Sequence, residues 1–139
     1  MGNGMKAIDD CIEEKLLDLH TAFIGKVVGV GGGKATVQPL NLMKQYGKEP
    51  VQQAVVKDVP ILKTVYKIEL FEFEGSGGNH PTHKHGGHVR FIPIQAGDIV
   101  FCMCADRDIS ATQNGAMALP SIGRHEIKDA VIVGVLSTW

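Results

Sequence analysis

Apolar residues at Ile8, Ile12, Leu16 and Leu19 recur at helical spacing, while Asp9, Asp10, Glu13 and Glu14 take the other side. This pattern predicts one amphipathic helix after a frayed Gly2 to Gly4, its acids in the first turns and Lys15 following, as the helix dipole favours. Beyond Thr21 the period changes. Segments rich in Val, Ile and Phe predict strands over Phe23 to Val30, Ala35 to Leu40, Val51 to Val56, Val65 to Phe73, Val89 to Ile92, Ile99 to Cys104 and Ala130 to Leu136. Gly31 to Gly33 supply a hairpin turn, where positive φ carries no steric cost.

Along Tyr66, Ile68 and Leu70, then Phe71 and Phe73, the apolar parity shifts. That shift predicts a bulge of the kind that bends a strand for barrel closure. The expected fold class is mainly β: an OB-fold-like small barrel preceded by one N-terminal helix. Residues 1–21 hold the helix and 22–139 the barrel, in a single domain. Ile99 to Cys104 is apolar on both faces, so its outer side needs a cover, either the helix or a neighbouring subunit. Gly75 to His88 cannot pack a core and reads as a long exposed His/Gly-rich loop between strands.

Composition narrows the classes. With Lys+Arg 14 against Asp+Glu 15 and a net charge of −1, the chain lacks the basic excess needed to coat nucleic acid or an anionic membrane. Aromatic residues make up only 6%, so the stacking platform of a single-strand-binding OB surface is missing. Ile99 to Ala105, among the longest apolar runs, falls far short of the ~20 residues that span a bilayer, and Met1 to Asp10 lacks a signal pattern. Synthesis in the cytoplasm is expected. The cysteines Cys11, Cys102 and Cys104 are too few and odd in number for a disulfide framework. Cys102 and Cys104, about 6.7 Å apart on one strand face, read as small buried apolar residues.

Four of the six histidines fall within His80 to His88. In an extended segment His83 and His85 project to one side and can present two neutral imidazoles to one cation. His80 and His88 are secondary candidates. Three copies of the loop on a threefold axis would supply six nitrogens, a shell suited to iron(II) or a similar divalent ion, one per trimer. A solvated loop that merely contains histidine is the alternative. His83-x-His85 followed by Gln95-Ala96-Gly97-Asp98 also resembles the cupin metal-site pattern, although Gly86 to Arg90 offers no glutamate and His125 is only an approximate third ligand. A small metal-dependent cupin-like enzyme is therefore the second reading. Ser110 and Ser121 lack a nucleophile elbow, and Gly29 to Gly33 has no P-loop Lys-hydroxyl pair. Asp106, Arg107 and Asp108 suit either an Arg107–carboxylate pairing, within or between subunits, or a solvated turn.

The motif order, taken together, is similar to a known family. Leu19-His20-Thr21-Ala22-Phe23-Ile24-Gly25-Lys26-Val27-Val28, Ala35-Thr36-Val37-Gln38-Pro39-Leu40, Val59-Pro60-Ile61-Leu62, Gly97-Asp98-Ile99-Val100, Ala105-Asp106-Arg107-Asp108-Ile109 and His125-Glu126-Ile127-Lys128-Asp129-Ala130 resemble the N-terminal OB-fold domain of contractile-tail phage central spikes, over roughly residues 8 to 136. The resemblance implies a homotrimeric baseplate protein of the virion, on the tail axis beneath the hub. It would cap the tube and puncture the host envelope on sheath contraction, as a mechanical part with no catalytic role. Family members commonly continue into a trimeric β-helix with a metal-bound apex, whereas this sequence stops at Trp139. The expectation is that a separate tip protein supplies the point, or that three His80 to His88 loops form a short iron-tipped one. A metal-free OB adaptor joining hub and tip is the remaining alternative.

Overall fold

Along β1 (Ala22–Gly31), Phe23, Gly25 and Val27 point inward while Ile24, Lys26 and Val28 point out. The computed structural model describes residues 3–44, 47–77, 80–120 and 122–137, with the backbone alone for 71–77, 80–88 and 137. The other elements are α1 (Asn3–Leu17), β2 (Lys34–Pro39), β3 (Val56–Pro60), β4 (Lys67–Gly77), β5 (His80–Ile92), β6 (Ile99–Cys104) and β7 (Ala130–Ser137). The protein is mainly β with one N-terminal helix, as the sequence pattern predicts.

Five strands form one antiparallel sheet in the order β3-β2-β1-β6-β7. It curls because its inner face must be removed from water. Val27, Val37, Val59, Val100, Cys102 and Ile132, drawn from all five strands, are fully buried, each contributing about 1.5–3 kcal/mol where the side chain is a large aliphatic. The two sheet edges meet just beyond β3. There Ile61 bridges Ile132 in parallel, and the Leu62 N–H donates to the Ile132 carbonyl at 3.2 Å. Register shifts within β1–β2, β2–β3 and β6–β7 supply the extra bend.

The predicted β1, β2, β6 and β7 stand within about a residue of the observed ones. The turn between β1 and β2 holds Gly32 at φ 61° and Gly33 at φ 76°, the left-handed pair that a two-residue hairpin requires. Other elements differ from expectation. Helix α1 starts at Asn3, so its first turn carries no acid. The strand placed at Val51 to Val56 begins only at Val56, and Val51 makes an isolated bridge to Met43. The stretch read as a long loop is paired backbone: β4 and β5 form a two-stranded ribbon reaching to Gly77 and His80. Glycine and histidine lack the alternation that marks a half-buried strand, so hydrophobic pattern could not reveal this one. The bulge read from the parity shift is present between Phe71 and Phe73, but it lies in the ribbon and bends no barrel strand.

Nor does α1 cover β6. No residue of α1 is buried, and outward-facing Phe101 and Met103 stay exposed.

Gly25 is sterically required. A Cβ there would overlap the Val37 Cγ1, whereas one at Gly29 in the same strand would meet nothing within 4 Å. We expect Gly25→Ala to lower stability by about 1–3 kcal/mol through overpacking and Gly29→Ala to change it by less than about 0.5 kcal/mol, both read from urea unfolding. Equal effects would contradict the inward placement of Gly25.

Candidate functional site

The barrel has two dissimilar ends. Ala22 lies opposite Met103 and Lys26 opposite Ile99, so the Ala22 end carries α1 and the segment after Cys104. The Ile99 end receives the chain returning from the ribbon. At about 3.4 Å per residue, the six residues of β6 separate the ends by roughly 17–20 Å.

At the Ile99 end both feet of the ribbon are anchored in the core. Val65 and Ile94, just outside β4 and β5, are buried. Lys67, the first residue of β4, places its Nζ 3.0 Å from Asp98 Oδ2, and both side chains are nearly enclosed, at 12% and 3% exposure. Asp98 also accepts the Gln95 N–H at 2.8 Å, and its carbonyl accepts the Val27 N–H at 2.9 Å. Gly97 closes this turn at φ 98° and donates to the Val27 carbonyl at 2.8 Å. Asp98 thus holds β1 through its backbone carbonyl, and the Gln95 turn and the root of the ribbon through its carboxylate.

The described part of the ribbon has unlike faces. Ile68 lies opposite Phe91 and Leu70 opposite Val89, and these four are 66%, 63%, 74% and 49% exposed. Tyr66 meets Phe91 edge-on at 5.6 Å. The reverse face carries the Glu69–Arg90 ion pair. Among the described residues, β4 and β5 pair with no other strand, and an isolated hairpin is marginal in water. Its apolar face needs a cover.

Farther out, His88, His85, His83 and His80 pair with Phe71, Phe73, Gly75 and Gly77. These partners are successive alternate positions of β4, so one face of the backbone ribbon carries all four histidine positions. Two register shifts, between Phe71 and Phe73 and between Gly75 and Gly77, bring this about by taking three β5 residues against two of β4. Sequence parity unites only His83 and His85; the bulges that add His80 and His88 have no signal except Gly86-Gly87 and Pro81. The side chains of all four histidines lie outside the described residues. Among the described residues no cluster of three or more His, Cys, Asp or Glu suits a metal ion.

His125, the approximate third ligand of the cupin pattern, sits at the other end. Its N–H donates to the Asp106 carbonyl at 3.1 Å, its carbonyl accepts from His20 at 2.8 Å, and its Nε2 is 3.5 Å from Asp106 Oδ1. The barrel therefore keeps it apart from the ribbon. In the neighbouring triplet, Asp106 faces His125 and Asp108 accepts the Ser110 N–H at 2.8 Å, as a turn-forming aspartate does. Arg107 Nε is buried and has no hydrogen-bond partner among the described residues. Asp129, which sequence reasoning passed over, is buried and accepts the Ile109 N–H at 3.3 Å. Lys67 and Asp98 were likewise missed as a pair, since 31 residues separate them.

Cys102 and Cys104 are buried free thiols of the inner face. Burial, then the neighbouring Cys104, pushes Cys102 up to about 12; burial, then Asp129, pushes Cys104 up to about 11. Neither is a reactive thiolate at neutral pH. No helix among the described residues is long and apolar enough to cross a membrane. No known family model matches the sequence, and no characterised protein is significantly similar to it.

Two outcomes follow. Lys67→Met, which leaves the Asp98 carboxylate buried, should cost about 3–5 kcal/mol, whereas Arg90→Ala at the exposed pair should cost at most about 1 kcal/mol; chemical denaturation compares them. A thiol reagent at pH 8 should modify Cys11 alone in the native protein and all three cysteines in denaturant. Because the folded thiols titrate above their ordinary value of 9.0, their contribution to stability is complete below that pH and is lost as pH rises through the folded values. Rapid native labelling of Cys102 would contradict the inward assignment.

Proposed function

We propose that this chain is a central spike component of a contractile tail: a homotrimer on the tail axis that caps the tube and is driven through the host envelope. The ribbon carries the reading. It projects from one end of the barrel with an uncovered apolar face, and copies of the same chain around an axis would bury that face while leaving Glu69 and Arg90 in water.

Supporting it are the five-strand order with a single parallel closure at Ile61 and Ile132, which we read as an OB-like barrel with the ribbon inserted between its third and fourth strands. The motifs at Val59-Pro60-Ile61-Leu62 and Gly97-Asp98-Ile99-Val100 that resemble the spike family fall at the barrel closure and the ribbon root. A structure with unlike ends also suits an axial part: α1 would face the hub and the ribbon the envelope. The role needs no chemistry, only a fold that stays intact under axial load. Closure of the sheet and the buried Lys67–Asp98 pair both resist displacement of the ribbon against the barrel.

The histidine positions extend the reading. They continue the Glu69–Arg90 face of the ribbon. Where the right-handed twist of the outer ribbon turns that face toward the axis, His83 and His85 of three chains would offer six imidazole nitrogens to one iron ion, with His80 and His88 on the same backbone face. A bound divalent ion would cross-link the three ribbons by coordination and would offset the ordering cost of their ends, about 1–2 kcal/mol per fixed residue. The remaining alternative, a metal-free hub-to-tip adaptor, keeps the trimer and lacks the ion.

The purified protein should have a mass three times 15.0 kDa and carry one transition-metal ion per three chains. Changing His83 and His85 together to Ala should remove the metal and leave the trimer. A trimer free of metal in every preparation supports the adaptor; a stable monomer in dilute solution ends the spike reading altogether.

A further inference from the structure

Helix α1 is another uncovered apolar surface, and it lies at the end of the barrel away from the ribbon. Met5, Ile8, Ile12 and Leu16 form one stripe, each 52–55% exposed, and no residue of the helix is buried. At 15 residues the helix is marginal by itself in water. Residues 18–21 are its only tether to β1, and His20 is tied to the His125 carbonyl at 2.8 Å. The helix therefore stays at this end of the barrel, and its stripe finds no cover among the described residues.

We propose that α1 is covered by itself: three copies of Asn3–Leu17 pack as a parallel three-helix bundle on the molecular axis. This rests on the trimer of the preceding section and names a seam within it. Spacings of three and four residues from Met5 to Ile8 to Ile12 are those of a coiled-coil seam, with one added four-residue step to Leu16. Isoleucine at both core positions, Ile8 and Ile12, favours three or four strands over two.

Charge decides the direction. Asp10 and Glu14 lie opposite the stripe, in water, while Asp9 and Lys15 lie on its two flanks. A parallel rotation sets the Asp9 flank of each helix toward the Lys15 flank of the next. An antiparallel pair would set like flank against like. Area fixes how much the bundle can do. Half-exposed side chains of this kind remove on the order of 400 Å² per chain, about half of the ~800 Å² that each partner buries in a standard interface. The bundle orders α1 and aligns three barrels, while barrel and ribbon contacts supply the rest of the association.

The test uses the full chain. Ile8→Asp with Ile12→Asp should abolish most of the helical circular dichroism of α1 and leave a trimeric mass. In a Cys11→Ser background, a nitroxide on Asp10→Cys should give one narrow interspin distance of about 20–30 Å, set by interaxial spacings of 8–10 Å and helix diameters of 10–12 Å. Buried Cys102 and Cys104 do not take the label. A trimeric mass with no such distance, or helical signal unchanged by the double substitution, overturns the bundle and leaves the spike reading standing. A monomeric mass for the unaltered chain overturns both.

Discussion

The Asp98 carboxylate is the constraint on which the arrangement depends. It sits at the one turn where the chain comes back from the ribbon and enters β6, and it is enclosed there together with Lys67 from the opposite foot. A buried pair of this kind adds little net stability over an apolar equivalent, but it is intolerant of a change in geometry, because either charge left alone is costly. Its effect is therefore on direction more than on depth of folding. The ribbon cannot swing against the barrel without separating the two charges in a dry site.

That fixed direction gives the domain a long axis. From the ribbon root the order runs through the closed core of Val27, Val100, Cys102 and Ile132 to the end that carries α1, His20 and His125. Load applied at one end would pass through paired strands, and Gly25 leaves room on the inner face for the Val37 side chain. The same economy explains the thiols. Cys102 and Cys104 fill inward positions of β6, and burial keeps both thiols uncharged at neutral pH.

Much of the barrel was legible in the sequence because its strands are short Val-, Ile- and Phe-rich segments bounded by turn residues. In β6, apolar on both faces, pattern marks the strand, and only the structure shows that Val100 and Cys102 form its dry side. The ribbon was not legible for the same reason turned around. Its outer half is built from Gly, His, Ser and Thr, whose pairing is decided by backbone register and by bulges, neither of which leaves an apolar period. The histidine cluster was visible as a candidate, yet its common face was not, since His80 and His88 differ in parity from His83 and His85 until two bulges intervene. Asp98 and Lys67 escaped notice because a buried ion pair is made by tertiary contact between residues that look like ordinary surface charges in the chain.

Among the described residues, three of the apolar surfaces left uncovered are the stripe of α1, the outer face of β6 at Phe101 and Met103, and the inner half of the ribbon at Ile68 and Phe91. A single compact partner can reach one of them at a time, since the ribbon and α1 leave opposite ends of the barrel and Phe101 faces sideways between them. Copies related by rotation about the long axis can meet all three at once, because every copy presents the same surfaces at the same heights. Threefold symmetry also answers the shape of the ribbon. With one apolar face and one charged face, a ribbon turned inward beside two others encloses the apolar side and leaves Glu69 and Arg90 outside, whereas a lone ribbon must expose both. These three surfaces are thus compatible with one arrangement of copies, the one proposed above.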